Sequence, residues 1–234
     1  KNLAAEIPGW DFNEVRQASS DIWNQALGQI AVKGNNEEEK IKFYSALYNA
    51  HFLPRTFSDV DGSYPKFDGG GQVMKMDHGT YYCDFSQWDT YRAVHPLFSI
   101  LNPSRNGDMA HSLVLKGQQG GWLPIFPSWN SYTAAMIGDH CIAMIGDAIV
   151  KDAPGFDYEE AYTLMRKNAF EANPDSNSYR DGKGRRAMES YLKYNYVPLE
   201  DQVMEAFHRR EQVSRTLEYA YDDWCIMRLA QQLN

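Results

Sequence analysis

Apolar residues recur every three or four positions along much of the chain, which is the spacing of one face of a helix. A first helix is predicted from Asp11 to about Val32, because Val15, Ile22 and Ile30 share one face and Asp11 is suited to cap its start. The same pattern predicts further helices over residues 37–52, 90–101 (bent at Pro96), 106–116, 132–151, 157–171 and 211–233.

The stretch from Pro54 to Gln87 lacks helical periodicity and predicts short strands around a Gly69–Gly71 turn. Inside it, the segment 59–63 has the aspartates of a calcium loop. The segment does not match the EF-hand pattern, because Tyr64 occupies the position of the required glycine and Gly70 that of the bidentate glutamate. We interpret this segment as a loop of turn-forming aspartates.

The last predicted helix carries two stripes of different chemistry. One is apolar and the other charged, and the charged stripe has two possible roles: a solvated face, or the lining of a polar cavity. The apolar stripe consists of Val213, Leu217, Ala220, Trp224 and Met227, and the charged stripe of Glu211, Arg215, Glu218 and Asp222.

Helices that alternate with short and long connections, with little sheet, predict an all-α fold. We expect a toroid of helical hairpins, with long aromatic-rich loops at some helix junctions and a few short strands, and an irregular helical bundle as the alternative. The chain has 234 residues, of which 43% are hydrophobic, so one large domain or two small ones can bury a core.

Charge and cysteine content exclude several classes of function. Lys plus Arg number 23 against 31 for Asp plus Glu, and the net charge of −8 argues against nucleic acid or an anionic membrane as partner. Three widely spaced cysteines favour packed thiols over disulfides or zinc. No apolar run approaches the roughly 20 residues of a membrane span, and the N-terminal residues do not resemble a signal peptide.

Trp88 and Asp89 form the strongest local candidate for a binding site. An aromatic ring can cover one face of a sugar while a carboxylate accepts its hydroxyl protons. Arg92, three residues later, is expected to orient Asp89. The alternative is a buried Trp beside an Asp that caps the helix beginning at Thr90.

Other candidates lie in a Pro- and Gly-rich loop and in two Asp-His pairs. The loop GGWLPIFPSWN contains Trp122 and Trp129. In each of the pairs Asp77-His78 and Asp139-His140, the histidine is a candidate general base that the aspartate would orient. Asp139-His140 is the better pair, because it follows that loop.

Four long blocks of the sequence are similar to glycoside hydrolase family 92, a family of calcium-dependent exo-α-mannosidases. They occur in the family's order and read RTFSDVDGSY (55–64), FSQWDTYRAVHPL (85–97), GGWLPIFPSWNSYTAAMIGDH (120–140) and VSRTLEYAYDDWC (213–225).

The resemblance implies that residues 1–234 are a single domain, the N-terminal part of an (α/α)6 toroid, without the family's N-terminal β-sandwich. It implies inverting hydrolysis of terminal α-linked mannose, with mannose-containing glycans as partners. Trp88 and Asp89 match the family's sugar-contacting pair. The substrate-binding residues that we predict are Trp88, Asp89, Arg92, Trp122, Trp129 and His140.

The family's acid glutamate and base aspartate lie in motifs that resemble EGNxWQY and GDEDxGQ, which do not occur here. We therefore expect no catalytic residue and no metal ligand in this chain, with both catalytic groups and the calcium ligands C-terminal to Asn234. The isolated chain is expected to be inactive and to need the remainder of its polypeptide. The resemblance implies a periplasmic or secreted protein. The alternatives are a non-catalytic glycan-binding helical module and a helical scaffold whose aromatics are all core.

Overall fold

The computed structural model describes residues 1–203 and 206–233. The chain separates into two compact units. The first comprises Lys1–Leu53 with Asp59–Asp61, and the second comprises Pro54–Ser58 with Gly62–Asn234. None of the helices within the described ranges combines the length and the apolar character that crossing a bilayer requires.

The first unit contains α1 (Asn2–Glu6), α2 (Phe12–Leu27) and α3 (Glu37–Ala50). The Asp11 side chain accepts hydrogen bonds from the backbone N–H groups of Asn13 and Glu14, which confirms it as the cap of α2. α2 ends at Leu27, five residues earlier than predicted, and none of its residues is buried. In α3, Tyr48 packs against Trp23 of α2 with ring centroids 4.4 Å apart.

The strands of the second unit form two antiparallel pairs. β2 (Ser63–Pro65) pairs with β3 (Val73–Lys75) across the glycine turn, which confirms the predicted hairpin. Gly69, Gly70 and Gly71 all have positive φ there, a conformation that favours glycine. β1 (Arg55–Thr56) pairs with β4 (Tyr82–Cys83), directly before the segment that carries Trp88.

Eight helices follow the strands within the described residues. α7 lies at the centre, where it contacts α5, α6, α8 and α11, and eight of its ten residues are buried. A helix that is apolar on all sides is expected in such a position. The helices are α4 (Gln87–Thr90), α5 (Val94–Leu101), α6 (Pro103–Gly120), α7 (Cys141–Val150), α8 (Tyr158–Phe170), α9 (Ser176–Arg180), α10 (Met188–Tyr194) and α11 (Gln212–Leu233).

In the second unit, two further helix predictions were wrong, because part of each predicted range is not helical. The predicted helix 90–101 is broken between α4 and α5, and Pro96 lies in the first turn of α5, where a missing N–H leaves no helical hydrogen bond unmade. The predicted helix 132–151 begins only at Cys141. Met136 and Gly138 before it have φ of 65° and 78°, which a right-handed helix does not allow.

α11 has the predicted extent but an unexpected orientation. Arg215 and Asp222 of the charged stripe are fully buried, whereas Leu217 and Trp224 of the apolar stripe are 66% and 52% exposed. The structure thus contradicts the interpretation of the charged stripe as a solvated face.

Candidate functional site

Trp88 and Asp89 lie in α4, a single helical turn that follows β4. Asp89 does not cap a helix at Thr90, because the turn already begins at Gln87. Its carboxylate is exposed and accepts a hydrogen bond from the Ser86 hydroxyl, with 2.5 Å between the oxygens. Because the residue is exposed, its carboxylate is also available to a ligand's hydroxyl groups.

The indole ring of Trp88 is fixed from two directions. Its Nε1–H donates to Glu218 Oε1 of α11 at 3.0 Å. The Arg92 guanidinium lies over the ring, 5.1 Å from the centroid, and donates to the Trp88 carbonyl oxygen at 2.7 Å. In the described part of the chain, no ion pair joins Arg92 to Asp89. Arg92 therefore orients the Trp and not the carboxylate.

Glu218 belongs to a buried charged network centred on His140. Glu218 Oε2 lies 2.8 Å from His140 Nε2, and Asp222 Oδ1 lies 3.0 Å from His140 Nδ1. The Tyr91 ring stacks on the imidazole, with 4.1 Å between centroids. Burial opposes the charged form, but the hydrogen bonds to Asp222 and Glu218 outweigh it and raise the pKa of His140 to about 9. His140 is therefore an imidazolium at neutral pH.

His140 cannot act as the oriented base considered from the sequence. Both of its ring nitrogens donate to carboxylates, so no lone pair remains to accept a proton. The adjacent residue, Asp139, has a cationic partner of its own. Asp139 is held by Arg185, whose Nε lies 2.9 Å from Asp139 Oδ2 with both side chains fully buried. Asp139 and His140 are therefore both held by charged partners, and we assign them a structural role at the candidate site.

Gly138 makes room for this arrangement. A Cβ at this position would lie 2.5 Å from both His140 Nε2 and Glu218 Oε2. With its φ of 78°, the position requires glycine for two independent reasons.

The two tryptophans of the aromatic loop lie in different environments. Trp122 is 7% exposed and packs with Phe67 and Tyr132, so it offers a ligand little surface. Trp129 is 81% exposed, and its backbone N–H donates to Asp84 Oδ1 at 2.8 Å. Within the described residues neither ring contacts Trp88. Their predicted roles in sugar binding, like those of Arg92 and His140, stay predictions.

The possible metal ligands in the described ranges do not include Asp89 or any residue in contact with Trp88. The aspartates of the segment 59–63 are engaged otherwise, since Asp59 accepts from the Asn2 amide at 2.7 Å and Asp61 pairs with Lys1. In the ranges that the structure describes, one group has ligand atoms close enough to share a cation, and it consists of Asp77, His78 and His111.

A cavity of about 460 Å³ lies between α7 and α11, but Trp88 and Asp89 do not line it. Its wall includes Asp147, Tyr221, Trp224 and Arg228. The candidate sugar site is thus an open surface at α4 and not this cavity.

Glu218 and Asp222 contact the candidate site, and the sequence did not assign either of them to it. They were placed in the charged stripe, and their i, i+4 spacing put them on one face of a helix. Their connection to Trp88 and His140 spans 130 and about 80 residues of sequence, which spacing cannot reveal.

Comparison with known proteins identifies the family. The sequence model of the glycosyl hydrolase family 92 catalytic domain matches residues 1–234. Over 232 residues the chain is 26% identical to an uncharacterized secreted glycosidase of Arthroderma benhamiae, and the match covers 97% of this chain and 25% of that protein.

Two solved structures from Bacteroides thetaiotaomicron are also similar. One is a family GH92 alpha-mannosidase, with 34% identity and a TM-score of 0.85, matched over 99% of this chain and 29% of that one. The other is a family GH92 inverting mannosidase, with 30% identity and a TM-score of 0.86, matched over 99% and 30%.

The chain thus spans between a quarter and three tenths of the length of these relatives. The predicted fold class, an all-α part of an (α/α)6 toroid with a few short strands, is confirmed. The chain belongs to the glycosyl hydrolase family 92 catalytic domain family.

Proposed function

We propose that this chain is part of an inverting, exo-acting α-mannosidase that hydrolyses terminal α-linked mannose from glycans. The observation that carries the proposal is the Trp88–Asp89 pair, with its exposed carboxylate and a ring held by Glu218 and Arg92. The similar proteins support it, since one is described as an inverting mannosidase and another was solved in complex with mannoimidazole.

In this proposal, Asp89 accepts hydroxyl protons of the terminal mannose while Trp88 packs against an apolar face of the ring. Ser86 holds one oxygen of the Asp89 carboxylate, so the acceptor is oriented before the sugar binds. Preorganised contacts of this kind lower the entropic cost of binding and help to hold the ring in a distorted conformation.

The chain contributes to sugar binding, and the acid and base come from elsewhere in the polypeptide. Inversion needs a carboxylic acid and a carboxylate base about 6.5–9.5 Å apart. Beside Trp88, both oxygens of Glu218 already accept hydrogen bonds, from an indole N–H and from an imidazolium. Both Glu218 oxygens are therefore already engaged with other groups, and we expect no hydrolysis by this chain alone.

The calcium that the family implies does not fit the residues described here. Calcium prefers six to eight oxygen ligands, whereas the one cluster with suitable spacing in the described ranges contains two imidazoles. We therefore propose that calcium ligands of the whole enzyme lie outside this chain, and no step of the mechanism is derived through the ion.

We also propose that the whole enzyme is periplasmic or secreted. The description of the Arthroderma benhamiae relative as a secreted glycosidase supports this proposal. In that location the enzyme would have access to complex glycans that carry terminal mannose.

The decisive experiment uses the full-length polypeptide that contains this chain, an α-linked mannobiose and calcium. We expect release of mannose that appears first as the β-anomer by NMR, and a loss of at least about 100-fold in kcat/KM in Asp89→Ala, corresponding to about 3 kcal/mol. Asp21→Ala, which removes an exposed carboxylate of α2, is the matched control and should leave the activity unchanged.

Failure of the full-length protein to release mannose would overturn the proposal. Hydrolytic activity of the isolated 234-residue chain would contradict the proposal that the catalytic acid and base lie outside it. A purely glycan-binding module is not favoured, because the matched family is that of a catalytic domain.

A further inference from the structure

A second cluster of polar side chains lies where the loop between β3 and β4 meets α6. The loop is held tightly against the helix, because Asp108 Oδ2 accepts the Thr80 backbone N–H at 3.0 Å. A Cβ at Gly79 would lie only 2.2 Å from Asp108 Oδ1. The two residues before Gly79 are therefore brought directly to the surface of α6.

His78 is oriented by a backbone carbonyl group. Its Nε2 lies 2.9 Å from the Gly155 oxygen, which only accepts, so this nitrogen carries a hydrogen. The Nδ1 atom faces Asp77 Oδ1 at 2.9 Å. Two acceptors at this distance repel each other unless a proton or a cation lies between them. A metal-binding histidine ordinarily donates one ring N–H to a carbonyl or carboxylate oxygen, as His78 does to Gly155, and ligates through its other nitrogen.

His111 of α6 completes the cluster. Its ring lies parallel to that of His78, with centroids 5.1 Å apart and an interplanar angle of 18°. Its Nδ1 is buried and has no hydrogen-bond partner among the described residues. Buried polar atoms nearly always have a partner, and a bound cation would provide one for the lone pair of this nitrogen.

We propose that Asp77, His78 and His111 together bind one divalent transition-metal cation of the Zn²⁺ class. Their ligand atoms lie within 4.8 Å of one another. A cation at the centre of a triangle of that size would be about 2.8 Å from each corner, so movements of under about 1 Å give the ~2.0–2.2 Å distances of Zn²⁺ sites. Nitrogen donors with one carboxylate suit Zn²⁺ and its neighbours, and do not suit calcium.

The cluster is accessible to an ion from solution. The side chains of Asp77 and His78 are 78% and 51% exposed, so water can fill the remaining coordination positions. Asp108 lies beside them and adds negative charge, since a Cβ at Gly155 would be 3.4 Å from His78 Nε2 and 4.0 Å from Asp108 Oδ1. The cation would connect the β3–β4 loop to α6, and the role we assign to it is structural.

The test is a titration of the chelator-treated chain with Zn²⁺ by calorimetry, and with Co²⁺ by visible absorption. We expect one Zn²⁺ per chain with a micromolar or lower Kd, at least tenfold weaker binding in Asp77→Asn and in His111→Gln, and no change in His208→Gln. Zn²⁺ should also raise the Tm of the native chain and of His208→Gln, and this rise should be absent in His111→Gln.

Asp77→Asn changes an exposed side chain, so it tests the site even if His111→Gln fails to fold. The proposal is overturned if no saturable Zn²⁺ binding occurs below about 1 mM. It is also overturned if His208→Gln weakens binding as much as the two cluster variants, which would indicate adventitious surface binding only. In either case a proton between His78 and Asp77 explains their short contact.

Discussion

On one face of α11 the side chains of Arg215 and Asp222 are fully buried, whereas on the opposite face Leu217 and Trp224 are 66% and 52% exposed. An amphipathic helix ordinarily buries its apolar face. The inward face of α11 also changes along its length, from Glu218 and Asp222 beside the candidate sugar site to an apolar end that packs against α7. That apolar end consists of Cys225, Ile226 and Leu229.

The comparison shows that a charged side chain can be buried where it has an ionic or hydrogen-bonding partner, and that polarity alone does not decide which face of the helix is buried. Glu218 and Asp222 are tolerated inside because the His140 imidazolium lies between them and neutralises part of their charge. The carboxylates in turn receive N–H groups from Trp88 and from the Asp139 backbone. The charged face of α11 thus stabilises the candidate sugar site.

The largest expected effect comes from removing the innermost carboxylate. Asp222→Ala leaves the His140 imidazolium and the Asp139 N–H without their partner, and should lower the free energy of unfolding by about 3–5 kcal/mol. Leu217→Ala, five residues earlier on the exposed face, should change it by no more than about 0.5 kcal/mol. Urea denaturation of both variants measures the difference. Equal losses would contradict the contrast between the two faces.

A second effect is dependence on pH. The pKa of His140 is raised to about 9 in the folded chain, against about 6.5 in an unfolded one. The stabilisation from this group is therefore complete below about pH 6.5 and is lost as pH rises through 9, by about 3 kcal/mol. Unfolding measured from about pH 6 to about pH 10 should show this loss in the native chain and not in His140→Gln. An identical pH dependence in both would remove His140 as its source.

Glu218→Gln should have a smaller effect on stability and a clear one on the site. An amide can accept at one position only, so either the Trp88 N–H or the His140 N–H loses its partner, at a cost of about 1–3 kcal/mol. We expect a shift in Trp fluorescence and a rise in KM of the full-length enzyme. Glu211→Gln, at the start of the same stripe, is the control. If both variants behave alike, Glu218 does not orient Trp88.

Much of the fold could be predicted from local sequence. Asp157 caps α8, as its position before a helical pattern indicated, and the glycine run marks the β2–β3 turn. Boundaries failed where positive φ interrupts an apolar pattern, as at Met136 and Gly138 before α7. Periodicity counts apolar residues and does not register backbone conformations of single residues.

The candidate site could be predicted in part. An aromatic beside a carboxylate identified Trp88 and Asp89, but their partners come from a helix 130 residues later. Sequence spacing could not indicate the proposed metal cluster for the same reason, since His111 is 33 positions from His78 and shares no helix with it. Periodicity also predicted both stripes of α11 and left open which of them faces inward.

Gly138 separates the parts of this site that can change from those that cannot. A Cβ at Gly138 would collide with both His140 and Glu218. A substitution at any of these three residues would therefore require the others to change as well. The exposed side chain of Trp129 carries no such constraint. Sequence change at this site is therefore expected first at exposed positions such as Trp129, one residue at a time, while the contacts among Gly138, His140 and Glu218 stay the same.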